Sequence, residues 1–300
     1  MKTLFLGLTL GTLTLNAVAC DEQAADYKTC IAQQYRQPVA QWPSPQVDAE
    51  VQWQEMAALP AHAPAPPENP FSEAKAALGK QLFNDPKLSR SGQIACASCH
   101  EADMAFADGR RVSFGHDRQS GRRNAPSLVM SGYSPALFWD GRGGTLEQQA
   151  MHPIVDPVEM AFDIPQLLQR LNTDSAYREE FAQVFGPGPI TPQQTAQALA
   201  TFQRTLVSAT RNTAFEQLLR GRPQRMSDEQ LYGLHLFRTK ARCMNCHFGP
   251  ALSDEQFHNV GLSYYGRKYE DLGRYEVTRK PEDVGAFRTP SLRLVMKTAP

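Results

Sequence analysis

Two pentapeptides of the chain place a pair of thiols beside an imidazole: Cys96-Ala97-Ser98-Cys99-His100 and Cys243-Met244-Asn245-Cys246-His247. Two thiols three residues apart can form thioethers with the two vinyl groups on one edge of a porphyrin, and the adjacent histidine then lies beneath the iron as its ligand. This spacing is typical of c-type haem attachment. The sequence therefore predicts two covalently bound haem c groups, with His100 and His247 as iron ligands.

Zinc is the alternative chemistry for four cysteines and two histidines. A zinc ribbon keeps its two Cys-x-x-Cys pairs about 15–20 residues apart, whereas roughly half of the chain separates these pairs. A redox-active dithiol would not need a histidine after each pair. Haem is therefore favoured over both alternatives.

The N-terminus has the features of a secretory signal. A short apolar stretch over residues 4–15 follows Lys2, and Ala17-Val18-Ala19 fits the small-residue pattern of a cleavage site. The apolar stretch is too short for a membrane span, which takes about 20 residues. Residues 1–19 are therefore predicted to be a signal peptide, and the protein is predicted to lie in the periplasm.

Cys20 directly follows the predicted cleavage site, and two fates stay open for it. It can form a disulfide with Cys30, because an exported protein meets an oxidising compartment, or it can carry a lipid anchor. Asn16 and Ala17 make a poor lipoprotein signal, so the disulfide is favoured.

The charge balance restricts the classes of partner. Lysine plus arginine total 31, and aspartate plus glutamate also total 31. No basic excess indicates binding to nucleic acid, and no acidic run indicates disorder. A protein partner must therefore be recognised through a local patch.

Helical patterns must position the two motifs. A helix is predicted to begin after Ser72 and to continue through Phe83, where apolar residues recur at helical spacing. Thr191 and Gln194 form a capping box for a second helix, which should end at Gly221. Strand patterns are short and sparse, so the fold class is predicted to be mainly α.

The domain organisation follows from composition and from the two motifs. Residues 38–70 are rich in proline and alanine, which predicts an extended linker, with the globular part beginning near Phe71. We predict an N-terminal extension over residues 20–70 and two cytochrome-c-like haem domains over residues 71–225 and 226–300.

A weak internal repeat surrounds the two motifs. Each motif is preceded by a Gly-x-x-Leu-Phe sequence, followed by a short turn that ends in aspartate, and followed later by Pro-Ser-Leu. In chain order these landmarks are residues 79–83, 106–108 and 126–128 for the first motif, and residues 233–237, 252–254 and 290–292 for the second. The pattern indicates one helical unit used twice.

Further motifs resemble those of the bacterial dihaem cytochrome c peroxidase family. They occur in the family's order: Arg123-Asn124-Ala125-Pro126-Ser127-Leu128, Phe138-Trp139-Asp140-Gly141-Arg142, Glu147-Gln148-Gln149, Pro157-Val158-Glu159-Met160, the stretch 271–278 and the stretch 287–292. The resemblance covers about residues 71–300. The same superfamily includes dihaem enzymes that oxidise tryptophans of a partner protein during quinone-cofactor maturation.

The resemblance implies reduction of hydrogen peroxide with electrons from a small periplasmic cytochrome c or cupredoxin. The haem of the first motif would be the low-potential peroxidatic haem, and that of the second motif the high-potential electron-entry haem. Glu159 matches the distal glutamate that moves protons during O–O cleavage, and Trp139 matches a tryptophan between the haems. His116 matches a histidine that ligates the peroxidatic iron in the resting oxidised state.

The resemblance also implies a calcium ion between the domains, with Asn124, Thr298 and Pro300 as ligands. Relatives continue beyond this point with the stretch that supplies the sixth ligand of the electron-entry haem, so the domain over residues 226–300 is expected to be truncated. Whether the protein forms a homodimer is left open by the sequence. Three functions also stay open: the peroxidase, which is favoured, the partner-oxidising enzyme, and a dihaem electron carrier without catalysis.

Overall fold

The computed structural model describes residues 20–299, so the predicted signal peptide and Pro300 lie outside the described residues. Its regular elements are mostly helices, which confirms the mainly α fold class. The helices are α1 (Tyr27–Tyr35), α2 (Glu73–Asn84), α3 (Leu146–Val155), α4 (Ile164–Thr173), α5 (Ser175–Phe185), α6 (Pro192–Thr205), α7 (Ala214–Leu219), α8 (Asp228–Arg238) and α9 (Tyr275–Thr278). Two short strands, β1 (Phe257–His258) and β2 (Phe287–Arg288), pair in the antiparallel sense.

Side-chain caps fix the beginnings of both predicted helices. The Ser72 hydroxyl accepts a hydrogen bond from the Lys75 N–H at 3.2 Å, which caps α2. Thr191 and Gln194 exchange side-chain to main-chain hydrogen bonds of 3.1 and 3.2 Å at the start of α6. These bonds satisfy N–H groups that have no partner within the helix, and both predicted starts are confirmed.

The helix predicted to run as far as Gly221 is interrupted. α6 gives way to a short 3-10 segment, and a separate helix, α7, begins at Ala214. The hydroxyl of Thr210 donates to a main-chain carbonyl, and the hydroxyl of Thr213 caps α7. Because such hydroxyls offer the main chain an alternative to helical bonding, the prediction of one continuous helix is wrong in its second half.

The largest hydrophobic core lies where α2 crosses α6, with α3, α4 and α5 around the crossing. Gly79 lies at the crossing, where a Cβ would collide with the carbonyl oxygen of Ala198. The absence of a side chain therefore lets the two helices approach closely. The core is completed by large apolar residues that include Leu82, Phe83, Leu167, Leu171, Leu199 and Phe202.

Residues 38–70 pack against both halves of the molecule, residues 71–225 and residues 226–300. They contain only one 3-10 turn, as their composition predicts, but Trp42, Met56, Leu59 and Ala63 are all buried. Trp42 and Met56 belong to the core that α1 and α8 form, and Leu59 and Ala63 belong to a neighbouring one. The expectation of a linker that precedes the globular part is therefore wrong, because lack of periodicity does not exclude isolated apolar anchors.

Arg238 of α8 fixes the same segment through charge. Its fully buried guanidinium lies 2.5 Å from a carboxylate oxygen of Glu55 and donates to the carbonyl of Pro43 at 3.0 Å. Its Cζ lies 5.3 Å from the centre of the Trp42 ring. A buried arginine needs such partners, because an unpaired charge there is strongly unfavourable.

Cys20 and Cys30 form a disulfide that ties the start of the described chain to α1. This confirms the favoured alternative for Cys20, and a thiol committed to a disulfide does not carry a lipid. Within residues 20–299, none of the helices combines the length and the apolar character that crossing a membrane requires.

We expect the substitution Trp42→Ala to lower the free energy of unfolding by about 3–5 kcal/mol, because it leaves a cavity beside α1 and α8. Urea unfolding of the holoprotein, followed by far-ultraviolet circular dichroism, measures this change. Trp53→Ala is the matched control, since Trp53 is 37% exposed whereas Trp42 is 7% exposed. Equal losses in the two variants would contradict the packing of residues 38–70.

Candidate active site

Both Cys-x-x-Cys-His motifs fold into the same compact loop. Each begins with a single 3-10 turn, and the histidine N–H then donates to the carbonyl of the first cysteine. This distance is 3.1 Å for His100 to Cys96 and 2.9 Å for His247 to Cys243. The four cysteines of the two motifs form no disulfides, so their thiols are available for thioether bonds.

The second hydrogen bond of each histidine fixes its tautomer. Nδ1 of His100 lies 2.9 Å from the carbonyl oxygen of Phe106, and Nδ1 of His247 lies 3.0 Å from that of Leu252. Because a carbonyl only accepts hydrogen bonds, Nδ1 carries the proton and Nε2 keeps a lone pair for a metal. Burial also lowers the pKa of His100, which favours the neutral ring.

The serines of the two Pro-Ser-Leu segments form equivalent hydrogen bonds with the turns that contain these two carbonyls. The Ser127 hydroxyl donates to the carbonyl of Ala105 at 2.6 Å, and the Ser291 hydroxyl donates to that of Ala251 at 2.5 Å. Each acceptor directly precedes the residue that receives the histidine. The internal repeat seen in the sequence therefore extends to its hydrogen bonds.

A cavity of about 580 Å³ lies beside the first motif. Cys96, Cys99 and His100 line it together with Trp139 and Glu159. Its volume lies within the usual range of cofactor and ligand sites, and much of its wall is apolar, including Phe83, Ile94, Leu128, Met130, Leu137 and Leu199. Two thiols, a neutral imidazole and apolar walls are the environment that a covalently bound haem requires, so these residues fit the predicted cofactor.

Glu159 brings a carboxyl group into this cavity. Within residues 20–299, no side chain or main-chain N–H donates a hydrogen bond to its carboxylate, whereas its main-chain carbonyl accepts from His116 N–H at 2.8 Å. Burial raises its pKa above the ordinary value of 4.5, the nearby Asp156 raises it further, and Arg142 acts in the opposite direction. Such a carboxyl is suited to both accepting and releasing a proton.

Trp139 forms hydrogen bonds with both halves of the molecule. Its indole Nε1–H donates to the carbonyl of Asn124 at 3.1 Å, and its own carbonyl accepts from the N–H of Arg288 at 2.9 Å. The first bond stays within residues 71–225, and the second crosses to residues 226–300. The structure therefore places Trp139 at the cavity wall and at the contact between the two halves.

The His116 ring is not among the side chains that line the cavity. Its Nε2 lies 3.6 Å from a carboxylate oxygen of Asp117, and its Nδ1 is buried with no hydrogen-bond partner among residues 20–299. The main chain of Gly115 lies so close to that of Val158 that a Cβ on residue 115 would collide with the Val158 carbonyl oxygen. The structure thus brings His116 to Glu159 through the main chain, and iron ligation by its ring stays a prediction.

Two of the three predicted calcium ligands lie on the same cavity. Asn124 and Thr298 both line it, and the Asn124 carbonyl already accepts the indole N–H of Trp139. Pro300 lies outside the described residues. Calcium binding therefore stays a prediction.

Sequence reasoning assigned no role to two arginines that the structure places at the site. The Arg142 guanidinium stacks on Phe138, 3.6 Å from the ring centre, and also lines the cavity. Arg123 forms ion pairs with Asp140 and Asp271. Both arginines occur in motifs that mark the family resemblance, but Asp271 lies 148 residues from Arg123, so the sequence alone gave no signal of this contact.

The helical fold and the two motifs define a c-type dihaem protein with a partly buried carboxyl beside one haem site. A family model for di-haem cytochrome c peroxidases matches residues 73–224, and the chain belongs to this family. Membership confirms the prediction of two covalently bound haem c groups.

Individual relatives fall into two groups by name. The chain is 42% identical to the methylamine utilization protein MauG of Methylophilus methylotrophus, over 78% of this chain and 69% of that protein. It is 37% identical to the cytochrome c551 peroxidase of Nitrosomonas europaea, over 77% of this chain and 69% of that protein. Its fold is similar to the crystal structure of a MauG-like protein associated with microbial copper homeostasis. That match has a TM-score of 0.73 and 33% identity, and it covers 83% of this chain and 77% of the other.

Replacement of Cys96 and Cys99 by serine is expected to remove one of the two haems, because the second motif forms its own loop. The pyridine haemochromogen assay, with the protein concentration measured independently, gives the ratio of haem to protein. Replacement of Cys20 and Cys30 by serine is the matched control, since these cysteines form a disulfide, and this variant should keep both haems. Two haems in the first variant would contradict attachment at Cys96 and Cys99.

Proposed function

We propose that the protein reduces hydrogen peroxide to water with electrons from a small redox protein, a c-type cytochrome or a cupredoxin. The observation that carries this proposal is the position of Glu159, whose partly buried carboxyl shares a cavity with His100, Cys96 and Cys99. A pure electron carrier needs no proton-transfer group at such a site. The cytochrome c551 peroxidase of Nitrosomonas europaea, a relative at 37% identity, supports the same activity.

Cys96 and Cys99 would hold the haem of this site, and His100 would ligate its iron through Nε2. That haem would supply an iron able to bind peroxide and exchange electrons with it. Glu159, when ionised, accepts a proton from one peroxide oxygen and returns it to the other, which leaves as water. Over one turnover, hydrogen peroxide takes up two electrons and two protons and gives two molecules of water.

The electrostatics of Glu159 set the expected pH dependence. Proton acceptance needs the ionised carboxylate, and burial raises the pKa of this group above 4.5. As the pH falls through the raised pKa, the carboxylate becomes protonated and turnover declines. The acidic limb of the pH profile should therefore lie above the range of an ordinary glutamate.

The substitution Glu159→Gln is expected to lower peroxide turnover by about 10²–10⁴-fold, because it removes the proton-transfer group and keeps its size. Steady-state oxidation of a reduced small cytochrome c by hydrogen peroxide measures this, with haem content measured in parallel. Glu179→Gln, at an exposed position of α5, is the control. Unchanged turnover or an unchanged acidic limb in Glu159→Gln would contradict the role of Glu159.

The second candidate is oxidation of tryptophan side chains in a partner protein, the other activity that the superfamily resemblance implies. The relationship to proteins named MauG supports it, since identity to one of them is 42%, against 37% for the peroxidase compared above. Both candidates use the same cavity and the same acid. In the steady-state assay, peroxide consumption that leaves soluble cytochrome donors reduced would favour the second candidate.

The two halves are proposed to carry haems with different functions. Residues 71–225, which carry the cavity, would hold the peroxidatic haem, and residues 226–300 the electron-entry haem. We also propose the periplasm as the location, because the Cys20–Cys30 disulfide is stable in an oxidising compartment. The predicted signal sequence over residues 1–19 supports the same location.

We further propose that His116 ligates the iron of the first site in the resting oxidised protein. Its ring would have to turn into the cavity, a change between two states of a loop whose main chain is bonded to that of Glu159. The substitution His116→Gly should then alter the low-spin signal of the oxidised protein in electron paramagnetic resonance. His62→Gly, at a loop histidine away from the cavity lining, is the control, and an unaltered signal in His116→Gly would exclude ligation.

A further inference from the structure

Trp139 lies between equivalent positions of the two internal repeats. When Pro126 is aligned with Pro290, Asn124 becomes equivalent to Arg288. The indole N–H of Trp139 donates to the carbonyl of Asn124, and the carbonyl of Trp139 accepts from the N–H of Arg288. The tryptophan is thus held from both sides by the same position of the repeated unit.

The hydrogen bonds continue from these positions to both haem motifs. Ser127 and Ser291, each three residues after the position that holds Trp139, donate to the turns whose carbonyls receive His100 and His247. A framework of short main-chain segments and hydrogen bonds therefore connects the two histidines through Trp139. Its geometry depends on how the two repeats are held against each other.

Arg123 makes one of the charged contacts between the two halves, and this contact lies beside Trp139. Its Nη1 lies 2.6 Å from a carboxylate oxygen of Asp140, the residue after Trp139. Its Nε and Nη2 donate to the two carboxylate oxygens of Asp271, each at 2.7 Å. Its Cζ also lies 5.4 Å from the ring centre of Phe287, the equivalent residue of the second repeat.

The surroundings make this contact difficult to replace. Asp140 is 4% exposed, and the Arg123 side chain is 16% exposed. Asp140 has a second cation, Arg142, at 3.1 Å, whereas Arg123 supplies the ion pair of Asp271 across the two halves. Loss of Arg123 would leave the partly buried carboxylate of Asp271 without its hydrogen-bonded cation and with only the electrostatic effect of Arg122, which is unfavourable. Lysine would not substitute fully, because an ammonium group cannot bind two carboxylates in a planar fork.

We propose that Arg123 is a positioning residue for electron transfer between the two haem sites, which it serves by fixing Trp139 against both repeats. This inference rests on the proposed function, in which one electron leaves the C-terminal haem site and is gained by the N-terminal one. Trp139 ends each transfer in its original oxidation state. Arg123 also lines the cavity, and in this proposal it acts through Trp139 and not on the substrate.

The experiment uses holoprotein with both haems reduced, mixed with hydrogen peroxide in a stopped-flow spectrometer that follows the bands of the two haems separately. In Arg123→Gln, oxidation of the C-terminal haem should slow by about tenfold, because Trp139 loses its fixed position, while the initial reaction at the N-terminal haem keeps its rate. Arg123→Lys should lie between Arg123→Gln and the unchanged protein. Hydrogen–deuterium exchange should increase in residues 137–143 and 286–289 of Arg123→Gln.

Arg122→Gln is the matched control. Arg122 is the preceding residue and also pairs across the halves, with Glu276 at 2.8 Å, but its side chain is 66% exposed. Exposed pairs contribute little, so this variant should transfer electrons at the unchanged rate. An equal slowing in Arg122→Gln would overturn the specific role of Arg123.

The remaining outcomes separate the two levels of inference. If peroxide oxidises neither haem of the unchanged protein, the proposed function fails. If peroxide reacts and Arg123→Gln transfers electrons at the unchanged rate, only the positioning role fails. Should Arg123→Gln lose haem, Asp271→Asn carries the test, because it removes the ion pair of Arg123 with Asp271 and leaves Asp140 paired with both arginines. An unchanged transfer rate in Asp271→Asn would then overturn the positioning role.

Discussion

The structure depends on one hydrogen bond that occurs twice, from Nδ1–H of a motif histidine to a main-chain carbonyl. An imidazole ligates iron well only when it is neutral and when its other nitrogen is fixed. The acceptor residues, Phe106 and Leu252, both have a positive φ, of 57° and 52°. This conformation is unfavourable for residues with a side chain, and the serine of each Pro-Ser-Leu segment holds the turn in place. In each repeat, the turn and its serine thus orient one main-chain carbonyl toward the imidazole ring of the motif histidine.

The same fold gives the two sites different environments. At the first site, the segment from Trp139 to Glu159 closes a cavity and adds a carboxyl whose pKa is raised by burial. At the second site, the nearby acid is Asp254, which pairs with His258 at 2.7 Å and is therefore already engaged. A carboxyl without a hydrogen-bond donor can act on a substrate, whereas one that is hydrogen-bonded to a histidine mainly stabilises local structure. The two environments account for proton chemistry being proposed at the first site.

Local patterns predicted what depends on local contacts. The caps of α2 and α6, the two histidine motifs and the repeat all follow from residues within a few positions of one another. The packing of Trp42 and Met56 depends on α1 and α8, so composition alone suggested a linker in their place. After α6 the chain forms a 3-10 segment, and the hydroxyls of Thr210 and Thr213 bond to the main chain between α6 and α7, which the apolar spacing did not predict. Family resemblance named Trp139 and Glu159, but the partners of Arg123 become visible only when distant segments meet.

The divergence between the repeats is also what joins them. In the first repeat, the chain after Pro126-Ser127-Leu128 carries Trp139, whose carbonyl reaches the second repeat at Arg288. In the second repeat, the chain between the histidine motif and Pro290-Ser291-Leu292 carries Asp271, which reaches back to Arg123. Each repeat therefore contacts the other through a segment that its counterpart lacks. The equivalent residues Asn124 and Arg288 lie on either side of Trp139. Two identical units would lack this reciprocal contact, so the divergence supplies both the asymmetry that the proposed catalysis would need and the fixed geometry that the proposed electron transfer would need.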